Sequence, residues 1–230
     1  MEDSADDILI EMGKAYRSFE SYSDLGRMKT IWEAGTDRER VTELRFSTYF
    51  RRPHFFRFEW SKHWLGSKLT EEVNVIWCDG KNAYKKYSYD KKPIRTNGLG
   101  MAVAGATGVS SGTAHSIIAL LIEDIGGYTF NDLENPSFRG SGLVDGEECY
   151  LVHGGELRST DIWISKQRSI ILRIDEDYTI KSQKQKGVIP FPTNQQLHIT
   201  NKTIYSDVNI NPSIADEVFS LRGLAANGSD

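Results

Sequence analysis

Residues 98–125 read GLGMAVAGATGVSSGTAHSIIALLIEDI. We expect the rest of the fold to be arranged around this stretch. Its first part, 98–112, is rich in glycine, which favours a flexible arm. Its second part, 114–125, carries apolar side chains around most of a helix, so such a helix must be covered on more than one side. A bilayer span takes about 20 residues, more than this helix offers. We expect a short apolar helix on a flexible arm that faces a concave apolar surface, either as an ordinary core helix or as a movable lid.

Over much of the rest of the chain, apolar and polar side chains alternate with a period of two. This alternation is typical of half-buried strands in antiparallel sheets. Before the central stretch, such strands are predicted at 27–32, 43–50, 55–60, 73–77 and 82–89. After it, an irregular linker is expected at 128–142. Further strands are then predicted at 148–153, 160–165, 169–174, 178–184 and 197–210.

These elements predict an α+β fold with an amphipathic N-terminal helix at 5–19. A single sheet of about ten to eleven twisted strands tends to curl. We therefore expect a strongly curved antiparallel half-barrel, with the central apolar helix plugging its concave face. No internal repeat or change in composition divides the chain, so we expect one domain, 1–230, with a loose tail from about residue 223.

Composition narrows the class of protein. The net charge of −4 and the pI near 5.8 argue against nucleic acid as a partner, which would favour a basic face. The two cysteines, Cys78 and Cys149, form no Cys-x-x-Cys motif, so a zinc or thioredoxin-type site is not expected. They either pair in an oxidising compartment or remain buried thiols. Residues 1–4 show no signal peptide, so the protein is either cytoplasmic or begins after a removed signal.

Motifs for catalysis are weak in this sequence. The glycine-rich run lacks the Lys-Ser/Thr of a phosphate-binding loop, and no Gly-x-Ser-x-Gly elbow occurs. The five histidines are scattered without metal-ligand spacing. We therefore expect no enzyme activity, no metal and no cofactor.

Four motifs, taken in order, resemble the LolA-type periplasmic lipoprotein carriers. They are FRRPHFFRF at 50–58, VIWCDGKNAY at 75–84, DIWIS at 161–165 and DVNINP at 207–212. The first is similar to the strand–turn–strand motif of that superfamily, in which a basic residue and a proline precede aromatic residues. Together with the segments between them, the motifs cover most of the chain.

The resemblance implies an open, bent antiparallel sheet with helices on its concave face, in one LolA-like domain. It implies a carrier-like protein, periplasmic or otherwise secreted, that shields a lipid, acyl chain or lipoprotein anchor from water while remaining peripheral to the membrane. In the carriers, the arginine before the motif proline hydrogen-bonds to the lid helix. This position is Arg52 here, with Arg51 adjacent, so the assignment can shift by one residue.

The candidate ligand contacts are apolar side chains on the predicted strands and on the central helix. They are Phe46, Phe56, Phe58 and Trp60 on the wall, and Ile117, Ile118, Leu121 and Ile122 on the lid. Plain core packing is the alternative for each of them. The alternative function is an envelope sensor or protein-interaction module of the same fold, whose groove binds an envelope protein partner and transports no cargo.

Overall fold

A computed structural model describes residues 4–33, 36–64, 72–181 and 196–220 of this protein. Within these ranges the chain forms eleven strands. They are β1 (Ser21–Trp32), β2 (Arg40–Arg51), β3 (Phe55–Trp64), β4 (Asn74–Asp79), β5 (Ala83–Lys86), β6 (Ile94–Arg95), β7 (Ser137–Val144), β8 (Glu147–Gly154), β9 (Arg158–Ser165), β10 (Ile171–Lys181) and β11 (Gln196–Ile210).

All eleven strands belong to one antiparallel sheet. Their order is β6-β5-β4-β3-β2-β1-β11-β10-β9-β8-β7, so the first strand lies near the middle and pairs with the last. The outermost strands β6 and β7 are not paired with each other, which leaves the sheet open. The predicted α+β architecture, an open and curved antiparallel half-barrel, is confirmed.

A glycine in the central strand lets two aromatic rings from the flanking strands meet above it. Gly26 faces Phe46 on β2 and Tyr205 on β11 in the two registers of β1. A Cβ atom at Gly26 would lie 2.0 Å from the Phe46 ring. Because that space is free, the rings of Phe46 and Tyr205 meet edge to face at a centroid distance of 5.7 Å, across the intervening strand.

The concave face is covered by α-helices and short 3₁₀ turns. The helices are α1 (Ala5–Ser18), α2 (Leu99–Val109), α3 (Thr113–Ser116) and α4 (Ile118–Leu121), with 3₁₀ turns at Glu123–Ile125 and Phe130–Asp132. A further 3₁₀ turn, Asp216–Phe219, lies on the convex face. Helix α1 begins at the N-cap Ser4, whose hydroxyl accepts a hydrogen bond from the Asp7 amide. It buries Ile8, Leu9 and Met12 against the core. No helix in the described ranges has both the length and the apolar character needed to cross a bilayer.

The convex face carries a smaller cover near β3 and β4. Phe219, from the last 3₁₀ turn, is 1% exposed, and its ring lies 5.4 Å from that of Phe55. The buried guanidinium of Arg57 donates to the Val218 carbonyl at 3.1 Å and pairs with Glu59. The C-terminal segment is thus fixed to the outside of the sheet.

The central stretch differs from the prediction in two ways. The glycine-rich part expected to be a flexible arm is largely the helix α2, because Ala102, Val103 and Ala106 pack into the core and offset the cost of glycine. The single helix predicted at 114–125 is instead broken into α3, α4 and a 3₁₀ turn. Ile117 lies at the break between the two short helices.

Two strand predictions are also corrected. The linker expected at 128–142 already contains β7 from Ser137 onward, paired with β8. The strands expected at 169–174 and 178–184 fall in one strand, β10 (Ile171–Lys181), and residues 182–184 lie outside the described ranges. The tail predicted from residue 223 lies outside the described residues.

Candidate functional site

Aromatic side chains from neighbouring strands form a wall on the concave face. The Phe46 and Phe58 rings lie 5.5 Å apart, and Trp60 lies 5.5 Å from Phe58. Tyr87 continues the row at 5.7 Å from Trp60. Phe56 lies on the same face of β3 and is fully buried. The wall therefore presents a continuous aromatic surface to the helices above it.

Residues 99–125, called the plug below, cover this wall. Ile117, Ile118, Leu121 and Ile122 are each at most 8% exposed. They belong to the same core cluster as the four wall residues predicted from the sequence. The structure thus brings all eight candidate ligand contacts together in a closed arrangement, and a role in ligand contact remains a prediction for each.

Arg52 lies where the ends of two helices meet. Its Nε donates to the Phe19 carbonyl at 2.8 Å, and its Nη2 donates to the Arg17 carbonyl at the end of α1. The same Nη2 lies 3.4 Å from the Leu121 carbonyl at the end of α4. A guanidinium stabilises unsatisfied carbonyls at helix C-termini. Arg52 therefore joins the plug to α1. Its bond to the Phe19 carbonyl, at 2.8 Å, is shorter than its bond to the plug, at 3.4 Å.

The neighbouring Arg51 points to the other face of the sheet. It donates to the Ile214 carbonyl at 2.8 Å and pairs with Asp216 at 2.6 Å. Its guanidinium also lies 4.3 Å from the centroid of the Phe55 ring. Of the two adjacent arginines, Arg52 is thus the one in contact with the plug.

A cavity of about 410 Å³ lies beside the plug, on the other half of the sheet. Volumes of this size are common for small-molecule sites. The cavity is lined by Met28, Ile174 and Thr203 of the sheet, by Thr107 and parts of 111–116 of the plug, and by parts of the loops 128–134 and 155–158. The eight predicted contacts are absent from this lining, so the sequence prediction identified the sealed core and missed the open space.

Carboxylates predominate among the charged groups of the cavity lining. The lining includes Glu134, Glu156 and Glu176 but only one guanidinium, that of Arg158. Arg158 and Glu176 form an ion pair at 3.1 Å. Burial, reinforced by nearby carboxylates, raises the pKa of the Tyr128 hydroxyl to about 12. The mouth of the cavity is therefore electrically negative.

A buried polar cluster lies under helix α1. Asp24 is 2% exposed, and its Oδ2 accepts a hydrogen bond from the Tyr22 hydroxyl at 2.8 Å. Burial raises the pKa of the Asp24 carboxyl to about 7, although hydrogen bonds from Tyr22 and Thr48 oppose the shift. The Tyr16 hydroxyl, beside Tyr22, accepts from the Ile171 amide at 3.1 Å. The cluster ties α1 to the sheet.

The sequence pattern already indicates that Asp24 is buried, although Asp24 belongs to no recognised motif. With a strand period of two, Asp24 falls on the same face as Tyr22, Met28 and Thr30, which are buried, whereas Leu25 faces solvent. A carboxylate on the apolar face of a strand is unusual and costs free energy unless it is hydrogen-bonded or protonated.

Groups that would support metal or thiol chemistry are not assembled in the described part of the chain. No cluster of three or more His, Cys, Asp or Glu side chains there could hold a metal ion. Cys78 and Cys149 are both free and buried, and burial raises the pKa of the Cys149 thiol to about 11. A thiol with a raised pKa is a poor nucleophile at neutral pH.

Comparison with known proteins gives structural similarities only. Neither a protein-family model nor a curated protein sequence matches this chain. Among solved structures it is similar to LprF from Mycobacterium bovis, with 11% identity, 95% of this chain and 96% of that chain covered, and a TM-score of 0.44. It is also similar to the LolA superfamily protein NE2245 from Nitrosomonas europaea, with 12% identity, 94% and 97% covered, and a TM-score of 0.35.

A third similar structure is a putative outer membrane lipoprotein-sorting protein domain from Vibrio parahaemolyticus. It has 10% identity, covers 94% of this chain and 96% of its own, and gives a TM-score of 0.38. Because identities and TM-scores are low, the fold described above rests on this chain's own strand order and registers.

Proposed function

We propose that this protein binds an acyl chain, of a lipid or of a lipoprotein anchor, beneath the plug and outside the cytoplasm. The observation that carries the proposal is the cavity of about 410 Å³ beside a plug whose apolar side chains cover an aromatic wall. The cavity is the entry point, and the wall becomes available when the plug moves. The protein acts by binding and shielding, without catalysis.

The energetics favour reversible opening. An acyl chain that leaves water for a protein groove gains about 0.8 kcal/mol per methylene. Opening the plug loses its apolar contacts and the hydrogen bonds of Arg52. A hydrogen bond that involves a charged group contributes roughly 1.5–3 kcal/mol. A chain of ordinary length can therefore offset the loss of the Arg52 bonds, and its own contacts with the wall replace those of the plug.

The first test is extraction of the purified protein with organic solvent, followed by mass spectrometry. Acyl-containing species that recur in stoichiometric amounts are the result expected for a lipid binder. Their repeated absence, together with no binding of added fatty acid, would contradict the proposal.

A second test uses a fluorescent fatty acid and two tryptophan substitutions on one helix. Thr107 lines the cavity, whereas Ala104 faces solvent on the same helix. Thr107→Trp should fill the cavity and weaken binding of the probe at least tenfold, whereas Ala104→Trp should leave it unchanged. Equal affinity of both variants would place the binding site elsewhere.

An interaction module is the second candidate, and the strand β7, at the edge of the sheet formed by the described residues, favours it. Strand β7 ends the strand order and exposes Leu143 at 67% and Phe138 at 41%. An exposed edge strand can accept a strand from a partner. Recovery of a stoichiometric protein partner, with no lipid in the extract, would support this candidate over the carrier.

A further inference from the structure

Helix α2 has a second apolar face that is exposed in the described part of the chain. Met101, Ala104, Gly105, Gly108 and Val109 follow one another at the i, i+3, i+4, i+7 and i+8 spacing of a helix face, and all are exposed. Met101 is 61% exposed and Val109 is 48% exposed. The helix contains no charged residue. A solvated helix normally carries polar side chains on its outer face, so this face is adapted to an apolar environment.

A basic hairpin lies next to this helix. The sequence 80–98 contains six cationic side chains and one carboxylate, Asp90, although the chain as a whole has a net charge of −4. The Asp90 carboxylate accepts a hydrogen bond from the Tyr87 amide at 2.9 Å. The cations are Lys81, Lys85, Lys86, Lys91, Lys92 and Arg95.

The helix and the hairpin lie next to each other. A Cβ at Gly105 would lie 3.3 Å from the Tyr87 hydroxyl, which places the middle of α2 against the hairpin. The hairpin adds exposed apolar side chains of its own, Tyr89 at 76% and Ile94 at 44% exposure. An uncharged helix face bordered by lysines and an exposed tyrosine is the combination that binds at the interface of anionic bilayers.

We propose that the outer face of α2 and the basic hairpin 81–95 dock this protein on the surface of an anionic lipid bilayer. The lysines approach the lipid phosphates, and Met101, Val109 and Tyr89 enter the interface between head groups and acyl chains. Docking in this orientation holds the plug, of which α2 is the first helix, against the source of acyl chains. The docking itself does not require the proposed carrier function.

The test is co-sedimentation with vesicles of phosphatidylcholine alone and of phosphatidylcholine mixed with phosphatidylglycerol, in low and high salt. The wild-type protein should bind the anionic vesicles in low salt, and the bound fraction should fall several-fold in high salt, because exposed charge pairs are screened. Equal binding to both vesicle types, or no binding to either, would overturn the proposal.

Two double variants with the same change in charge locate the surface. Lys91 and Lys92 are exposed in the turn of the hairpin, whereas Lys29 and Lys202 are an exposed cross-strand pair on β1 and β11. K91E/K92E should reduce vesicle binding at least fivefold, and K29E/K202E should change it less than twofold. Equal losses would show only an effect of net charge and would overturn the assignment.

A further variant tests the apolar contribution. Met101→Asp should reduce binding to anionic vesicles several-fold while leaving the melting temperature nearly unchanged, because the side chain is exposed. Full binding by a folded Met101→Asp variant would show that α2 does not enter the interface. If K91E/K92E loses vesicle binding but still binds the fluorescent fatty acid normally, docking has failed while the proposed function is intact.

Discussion

The two halves of the sheet are covered differently. On the β2–β5 half, the plug packs directly on aromatic side chains such as Phe58, which is 1% exposed. On the half formed by β1, β11, β10 and β9, Met28 and Ile174 instead face a cavity of about 410 Å³. The first half holds the plug in place, and the second offers the space in which a ligand can begin to displace it.

The largest expected effect compares core truncations on the two halves. Phe58→Ala should lower the free energy of unfolding by about 3–5 kcal/mol. Met28→Ala should cost about 2 kcal/mol, the low end for a buried methionine, because the buried Met28 side chain also borders the cavity. Chemical denaturation of both variants measures the difference. A loss from Met28→Ala as large as that from Phe58→Ala would show that the cavity does not loosen the packing around Met28.

A pH-dependent effect is expected from Asp24, whose pKa is about 7 in the folded protein and about 3.9 in an unfolded chain. Because the folded state holds this proton more tightly, its contribution to stability is full below pH ~4 and is lost as the pH rises to about 7. Asp24→Asn should therefore be more stable than wild type at pH 8, by at most about 4 kcal/mol. At pH 4 the difference should nearly vanish.

Denaturant titrations at several pH values measure this effect. The matched control is Asp177→Asn, because Asp177 is exposed on β10. That variant should show no comparable gain at pH 8. A gain from Asp24→Asn that stays constant between pH 4 and pH 8 would contradict a buried, protonated carboxyl.

The adjacent arginines separate plug anchoring from general stability. Arg52→Leu removes the bonds to Phe19 and Leu121 and should cost about 1.5–3 kcal/mol. It should also speed uptake of a fluorescent fatty acid. Arg51→Leu should cost a similar amount, because it frees the C-terminal segment on the convex face. Uptake should stay unchanged in that variant, and stopped-flow fluorescence distinguishes the two.

The smallest expected effect concerns glycines of α2. A Cβ at Gly108 meets open space, so Gly108→Ala should stabilise the helix by about 1 kcal/mol and slow ligand entry. At Gly105 the new Cβ lies 3.3 Å from the Tyr87 hydroxyl, which reduces the gain. Equal ligand on-rates in wild type and Gly108→Ala would show that the flexibility of α2 does not limit entry.

Periodicity was sufficient to predict most of the sheet. Runs such as 43–50 and 55–60 alternate largely with a period of two, and they lie in β2 and β3. Glycine content gave a wrong prediction for 98–112, because α2 is stabilised by burial of Ala102 and Val103, a tertiary effect that local propensity does not contain. The failure at 128–142 has a similar cause, because β7 is defined by its pairing with β8.

The candidate site was only partly predictable. Apolar patterning found side chains such as Phe46 and Ile118, which the structure places in one core. The cavity was missed because its shape depends on how the plug residues 107–116 lie relative to Thr203 and to the loop that contains Leu157. Such positions follow from the packing of distant segments and leave no periodic signal in the sequence.

Amide hydrogen exchange with and without oleate tests the central claim most directly. If a ligand enters through the cavity and displaces the plug, exchange should change in peptides covering 107–125 and 128–134. Peptides of the convex cover at 214–220 should stay as they are. Saturating oleate that leaves exchange at 107–134 unaltered, or that protects only the convex cover, would contradict the account.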